Sequence, residues 1–524
     1  MNLPAAFQER MEMLLGAEDF QCFLNSYTRP RFRGLRLNPL KATKELLEKN
    51  LPFPLTPAPF SKDSFYIPPT ARPGRLAAHH AGMFYAQEPS AASVVTVLAP
   101  QPGERILDLC AAPGGKSTQI AAALSGSGLL WANELVYPRG EILRWNLERM
   151  GVRNALVSSL HPQKLCSRLT GYFDRVLVDA PCSGEGMFRK EPAALQGWSA
   201  EAVKACGERQ AAILDSAALA VKPGGILVYA TCTFSPEENE ETINRFLERH
   251  SAFEPLPVSV NFGRRSLPLG VGWSKSGGYT TDSRKKEMDS PGNTGDIHRS
   301  PADMQASHGR RPNEDRQTGD SPAGALPIFG RRIFPMDGGE GHFVAKLRRR
   351  TDVPWEAGKH CESGISSRKK AGSRSGKRID LPKALLDQAM ALYRQLFLED
   401  CSESILLRGN RLLLLPDTLP ELQGIPLLSL GVPLGEVKKN RIEPSHGLFM
   451  SRSGTDCRQQ LSFSGEDSAL YAFLRGEEIN CGETGYTAVT LDGVTVGFGK
   501  ASGGRLKNRY PKGLRIQGEG TFPL

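Results

Sequence analysis

Between residues 105 and 250, short apolar runs alternate with longer stretches whose apolar residues recur at helical spacing. The runs predict strands over 105–109, 128–132, 155–158, 175–178 and 225–230. The longer stretches predict helices over 116–124, 139–150, 201–220 and 236–250. Strands and helices in strict alternation imply a parallel sheet covered on both faces. Upstream, residues 7–15 and 18–26 have helical periodicity, and 1–90 read as a compact leading domain. Ser90 is placed to cap a helix over 91–98. Within 29–36, Arg29, Arg31, Arg33 and Arg36 punctuate an extended segment. They predict a basic face for phosphate contacts or, equally, an edge strand with a solvated basic side.

The pattern breaks from about 264 to 322, where Ser, Gly, Asp, Arg and Pro replace large apolar residues, as in a flexible insertion. Strand-like sequence resumes at 328–334 and 341–347, so the insertion interrupts a domain spanning 91–347. Residues 348–380 read as a basic linker: from Arg348 to Arg378 there are ten Lys or Arg against three Asp or Glu. A helix at 384–397 and strands at 404–407 and 411–415 predict a small α/β module over 381–445. In 446–524, strands at 487–491 and 494–498 flank Asp492-Gly493, a hairpin turn signal. From Lys500 to Arg515 there are six Lys or Arg, no acid, and Tyr510. That composition suits a small β-rich RNA-binding module.

A chain of 524 residues accommodates two to four domains. A net charge of +10 points to a polyanionic partner. Ten cysteines without a C-x-x-C pair argue against a zinc site or a disulfide framework. No apolar run approaches membrane-spanning length, and the first residues carry no signal pattern. The expectation is a cytoplasmic, monomeric protein with free thiols, no metal and no membrane contact.

The candidate chemistry lies at strand ends. The run V-L-V-D-A-P-C-S-G-E-G brings a strand to Asp179 and then to a turn with Cys182. In open α/β sheets ligands bind at such carboxyl ends. The first strand ends at Asp108, followed by Cys110, Ala111, Ala112, Pro113, Gly114, Gly115 and Lys116. Small residues there let a ligand approach the backbone, although neither a dinucleotide fingerprint nor a nucleotide P-loop is present. The next strand ends at Glu134, suited to accepting both hydroxyls of a ribose. A later strand ends at Thr231-Cys232-Thr233. Ser235, Pro236 and Glu238 then carry N-cap, first-turn and capping-box signals, which place Cys232 beside a helix start and predict a lowered thiol pKa.

Taken together, D-L-C-A-A-P-G-G-K, D-A-P-C-S-G and A-T-C-T-F-S-P-E-E-N-E, with Y-A-Q-E-P-S upstream and G-E-G-H-F downstream, resemble the RNA 5-methylcytosine methyltransferase family. The terminal L-K-N-R-Y-P-K-G-L-R is similar to its bacterial small-subunit rRNA branch. The resemblance implies a Rossmann-like class I methyltransferase sheet, an N-terminal RNA-binding domain, a small α/β module and a PUA-like module. It implies S-adenosylmethionine as methyl donor, wrapped by residues 110–116, with Glu134 on the ribose and Asp179 near both cofactor and base. It assigns Cys232 as nucleophile at cytosine carbon 6 and Cys182 to proton removal and enzyme release. Lys190 is either an RNA contact or a solvated lysine. The acid usual after the third strand is missing here, and His161 is the nearest positional match. The implied substrate is 16S rRNA or the small subunit. Transfer RNA, or a non-catalytic role in ribosome assembly, are the alternatives.

Overall fold

The computed structural model describes residues 1–269, 329–353, 381–439 and 441–516, together with the backbone of Val271–Ser274 and Gly278–Thr281. Most of the expected insertion, and of the expected basic linker, lies outside the described residues. At the centre is a sheet built from Arg105–Asp108 (β1), Leu129–Asn133 (β2), Ala155–Ser158 (β3), Phe173–Asp179 (β4), Val221–Thr231 (β5), Gly330–Ile333 (β6), His342–Arg349 (β7) and Leu427–Leu430 (β8).

The strand order is β6-β7-β5-β4-β1-β2-β3-β8, with the two-residue strand Arg264–Arg265 beyond β6. Strands β1 to β5 pair in parallel, and β7 enters antiparallel beside β5. Helices Gly115–Leu124 (α1), Tyr137–Arg149 (α2), Ala200–Ala220 (α3) and Glu240–Arg249 (α4) pack on the sheet. Cover on both faces explains why Val176, Leu177 and Val178, or Leu227, Val228 and Tyr229, are consecutive yet all buried. Chain order reverses between β1 and β4. The loops leaving these two strands diverge and open a crevice at their carboxyl ends.

The amino-terminal residues form two helices, Ala5–Leu15 and Ala17–Ser26, and a four-stranded antiparallel sheet of Thr56–Pro57, Ser64–Tyr66, Gly34–Leu37 and Phe84–Ala86. Phe7 and Phe23 of the helices join Phe188, Phe234 and Phe334 in one aromatic cluster. The face of this sheet is not a row of arginines. Arg36 is buried and its guanidinium donates to Gln87 Oε1, Gly115 O and Thr118 Oγ1 at 2.6–2.8 Å. It clamps the start of α1 and is unavailable to phosphate.

Two further expectations are corrected. Ser90 does not cap a helix over 91–98. Glu88 takes the amides of Ser90 and Ala91, and a 3-10 turn Pro89–Ala92 precedes the helix Ser93–Leu98. Strand pairing also persists past residue 264, because Arg264–Arg265 pairs with β6 and Val271–Ser274 with Gly278–Thr281. Arg264 is held there by Asp19 and Asp337, residues far away in sequence.

From residue 381 onward, helix Lys383–Leu396 packs on a four-stranded sheet of Ile405–Arg408, Arg411–Leu414, Val432–Lys438 and Arg441–Pro444. One strand of this region leaves it: β8 pairs antiparallel with β3 and extends the central sheet. The last sheet contains the expected hairpin, Gly485–Leu491 and Val494–Ser502, with Leu491 opposite Val494. Asp492 and Gly493 both have positive φ, as a type I′ turn demands. This final sheet shares an apolar core with the amino-terminal one: Leu35 and Phe84 belong to the same cluster as Leu470, Phe473 and Val496. Lys41 Nζ crosses the junction to the carbonyls of Met450 (3.0 Å) and Thr495 (3.2 Å).

Candidate active site

The crevice is walled by the loop after β1. Ala111 N is hydrogen-bonded to Asn133 O, while Arg139 and Asn146 of α2 take the carbonyls of Ala112 and Pro113. Gly114, with φ of 110°, adopts a backbone that favours glycine and turns the loop into α1. A Cβ on Gly115 would come within 3.1 Å of Gln87 Nε2, so the loop is closely packed from behind. Lys116 reaches across to Asp179 at the end of β4, Nζ to Oδ2 at 2.7 Å.

Asp108, buried at the end of β1, accepts from Ser117 Oγ at 2.6 Å, and its Oδ1 has no partner. Burial pushes its carboxyl up to about 7. Burial, with Asp108, Asp179 and Glu134 nearby, also holds the Cys110 thiol well above its ordinary value. That keeps Cys110 a neutral lining group. Glu134 is buried, and its Oε1 receives Val136 N at 2.9 Å. Its Oε2 has only Arg139 at 3.6 Å, so acceptor capacity remains. An orphaned acid oxygen, an acceptor at the next strand end and a backbone-lined loop suit a polar ligand carrying hydroxyls. The donor set therefore fits a nucleoside-bearing cofactor.

His161 is exposed after β3 and caps the short helix Pro162–Cys166, its Nδ1 accepting from Gln163 N at 3.3 Å. The wall there is organised instead by Asn133, which was not singled out from sequence. Its side chain bonds Ser158 Oγ, Leu160 N and Leu160 O.

Cys182 and Cys232, fifty residues apart in sequence, bring their Sγ atoms within 3.3 Å. The hydrogen bond to Cys232 and burial raise the Cys182 thiol well above its ordinary value. Either sulfur can be the donor in this contact. The helix start expected at Pro236 is not there. Residues 236–239 form a turn and α4 begins at Glu240, so no helix N-terminus adjoins Cys232. Ser235, the expected cap, gives both its amide and its hydroxyl to Glu185. Glu185 and Glu238, both fully buried, were missed as site residues. The sequence signal at Glu185 is an acid between two glycines beside Cys182, and Glu238 reads from sequence only as a capping-box residue. Lys190 is half exposed, with Glu191 at 3.9 Å.

Among the described residues, no group of three His, Cys, Asp or Glu could hold a metal ion, and no helix is long and apolar enough to cross a membrane.

Comparison with known proteins agrees along most of the chain. Residues 95–271 match the family described as 16S rRNA methyltransferase RsmB/F, and residues 3–89 match the N-terminal domain of 16S rRNA methyltransferase RsmF. Residues 392–451 match the first C-terminal domain of RsmF rRNA methyltransferase, and 460–516 its PUA domain. The ribosomal RNA small subunit methyltransferase F of Erwinia tasmaniensis is 39% identical over 270 residues, which is 49% of this chain and 56% of that protein. The protein of the same name from Shewanella amazonensis is 30% identical over 502 residues, 92% of this chain and 91% of that one. The crystal structure of PH0851 superposes with a TM-score of 0.52 at 25% identity, covering 66% of each chain. With the strand order above and four matched segments in sequence, this chain belongs to the ribosomal RNA small subunit methyltransferase F family, built on a Rossmann-like methyltransferase sheet.

Proposed function

We propose that the chain methylates carbon 5 of a cytosine in 16S rRNA, with S-adenosylmethionine as donor and a covalent cysteine adduct on the way. The observation that carries this reading is the 3.3 Å approach of Cys182 and Cys232 at the ends of neighbouring strands, beside the Lys116–Asp179 pair. A single thiol would suffice for a nucleophile. Two in contact suit a reaction in which one sulfur adds to the ring and a second group assists its departure.

Carbon 5 of cytosine is a poor nucleophile until a thiolate adds at carbon 6. Cys232, the nucleophile that the family resemblance assigns, forms that carbon–sulfur bond. Asp179 accepts from the 4-amino edge and fixes the ring, and Lys116 at 2.7 Å holds the carboxylate in place. When bound, S-adenosylmethionine supplies an electrophilic methyl group for carbon 5. Once Cys182 has given its own proton to solvent, its thiolate takes the proton from carbon 5, the carbon–hydrogen electron pair restores the ring double bond, and the carbon–sulfur bond breaks to release Cys232. The 110–116 loop and Glu134 would hold the cofactor, Glu134 at its ribose. The amino-terminal domain and the final β-rich module are the proposed RNA-binding parts.

The test is methyl transfer from labelled S-adenosylmethionine to 16S rRNA, assembled small subunits and tRNA, with Cys232→Ala and Cys182→Ala in parallel. Cys232→Ala is expected to be inactive with no adduct, and Cys182→Ala to accumulate a protein–RNA band on a denaturing gel. Full activity in Cys232→Ala would sink the mechanism, and label in tRNA alone would sink the substrate.

A further inference from the structure

Both cysteines sit on irregular turns past the ends of β4 and β5, where the sheet no longer fixes the backbone. Something else must set the distance between them. Glu185 lies three residues after Cys182, yet its carboxylate is spent on the Cys232 turn. It accepts from Thr233 Oγ1 (2.7 Å), Phe234 N (2.7 Å), Ser235 N (2.9 Å) and Ser235 Oγ (2.6 Å). Glu238 lies six residues after Cys232, and apart from a 3.4 Å contact from Thr233 Oγ1 its carboxylate turns to the Cys182 side. It accepts from Ser183 N at 3.0 Å and from Gln210 Nε2 at 2.7 Å, and Gln210 also holds Pro181 O at 3.1 Å. Each thiol turn is thus gripped by an acid that belongs to the other.

Two direct bridges close the arrangement. Ser183 Oγ and Thr233 Oγ1 are 2.8 Å apart, and Gly186 N donates to Cys232 O at 2.9 Å. The residues on both sides of Cys182, and the carbonyl and following residue of Cys232, are therefore pinned. Glu185 and Glu238 are fully buried, and none of these partners carries positive charge. Burying two carboxylates on hydrogen bonds alone is unfavourable for stability compared with an apolar filling. The arrangement is accounted for by what it does to the thiols.

We propose that Glu185 and Glu238 are positioning residues that together set the separation and direction of the Cys182 and Cys232 sulfurs. This rests on the two-thiol reaction proposed above and names the residues that make it geometrically possible. Neither acid touches the base or the cofactor. They act through the turns they hold. Adding one sulfur to carbon 6 while the other serves carbon 5 tolerates little misplacement, since errors near 1 Å cost on the order of 100-fold in rate.

The experiment reads sulfur spacing directly, apart from methylation. Hydrogen peroxide oxidises the thiol pair of the full-length protein: two S–H bonds break, one S–S bond forms, and the peroxide is reduced to two waters. The rate of Cys182–Cys232 disulfide formation is followed by peptide mapping in wild type, Glu238→Gln, Glu238→Ala and Gln210→Met. Methylation kinetics, calorimetry with S-adenosylmethionine and thermal unfolding are measured on the same proteins.

Glu238→Gln and Gln210→Met are expected to slow disulfide formation and kcat together, by about 10-fold. Glu238→Ala is expected to slow both by about 100-fold. KM for RNA and cofactor affinity should stay within about twofold of wild type, because the turns and not the binding surfaces move. Wild-type disulfide rates in all three variants would overturn the proposal, as would a loss of kcat with disulfide rates unchanged. Glu238→Gln keeps the volume and guards against a variant that merely unfolds. If wild type methylates no RNA, the two-thiol reaction falls, while the disulfide rates still decide whether the acids set the spacing.

Discussion

Lys116 Nζ and Asp179 Oδ2 meet at 2.7 Å, tying the loop after β1 to the end of β4 across the crevice. Burial works against the charge on Lys116, and Asp179 beside it more than offsets that, so the amine is held above its usual range. The pair joins the proposed cofactor loop to the proposed base contact. Lys116→Met is expected to lower single-turnover methylation by about 100-fold, and Lys116→Arg to recover only part of it, because a planar guanidinium cannot copy a point charge. Single-turnover kinetics on both variants, with cofactor affinity measured alongside, check this.

Arg189 and Glu340 form a doubly hydrogen-bonded pair, both contacts at 2.8 Å, with side chains 7% and 5% exposed. Glu340 also takes Phe32 N and Arg189 takes Ser26 O, so the pair fastens the amino-terminal domain to the loop following Cys182. Glu340→Ala strands a buried guanidinium and is expected to cost about 3–5 kcal/mol. The double replacement Arg189→Met with Glu340→Leu should cost much less than the sum of the two singles. Urea denaturation of Glu340→Ala, of the double variant and of its two singles tests both statements.

Asp108 gives a pH signature. Burial raises its carboxyl from 3.8 to about 7, so between those values the folded chain binds more protons than the unfolded one. Stability from this group is full below the unfolded pKa and falls as pH rises toward 7. Asp108→Asn is expected to flatten that part of the cofactor-free protein's stability profile. Denaturation midpoints at intervals from pH 4 to 8 would show it, and an unchanged slope would refute it.

Lys500 stands directly opposite Lys507 and, on its other side, opposite Tyr486, over whose ring its Nζ lies 5.5 Å from the centroid. Like charges facing each other across a ladder are unfavourable unless an anion lies between them. Replacing either lysine by Ala is expected to weaken RNA binding evenly across sequences. Each should reduce the slope of log affinity against log salt by about 0.7–0.9, one phosphate's worth. A salt titration of binding, with cofactor affinity as the control, measures this.

The central sheet was legible because its signal is local: apolar runs of the right length, broken by acids and glycines at the carboxyl ends. The places of Cys182, Cys232, Asp179 and Glu134 at or just past strand ends were legible for the same reason. What escaped was decided by distant partners. Ser235-Pro236-Glu238 has every local mark of a helix start, but Glu185 takes the Ser235 amide and hydroxyl, and Glu238 turns to Ser183. Arg36 reads as a surface cation until Gln87, Gly115 and Thr118 close over it. Nothing in Leu427–Leu430 tells that it pairs with Ala155–Ser158, since a short Leu-Leu-Ser-Leu stretch fits any sheet edge.

The core shared by the first and last sheets bears on how the chain is made. Leu35 and Phe84 leave the ribosome hundreds of residues before Phe473 and Val496, which pack with them. Lys41 waits for a carbonyl 454 positions later. At ordinary elongation rates that gap is on the order of tens of seconds. Throughout it the nascent amino-terminal domain exposes an apolar face that its own residues cannot cover. The sheet synthesised earlier is completed only by the one synthesised later, so a chain truncated before the β-rich module lacks more than that module. It leaves the opposite end of the protein unfinished and open to chaperones and proteases.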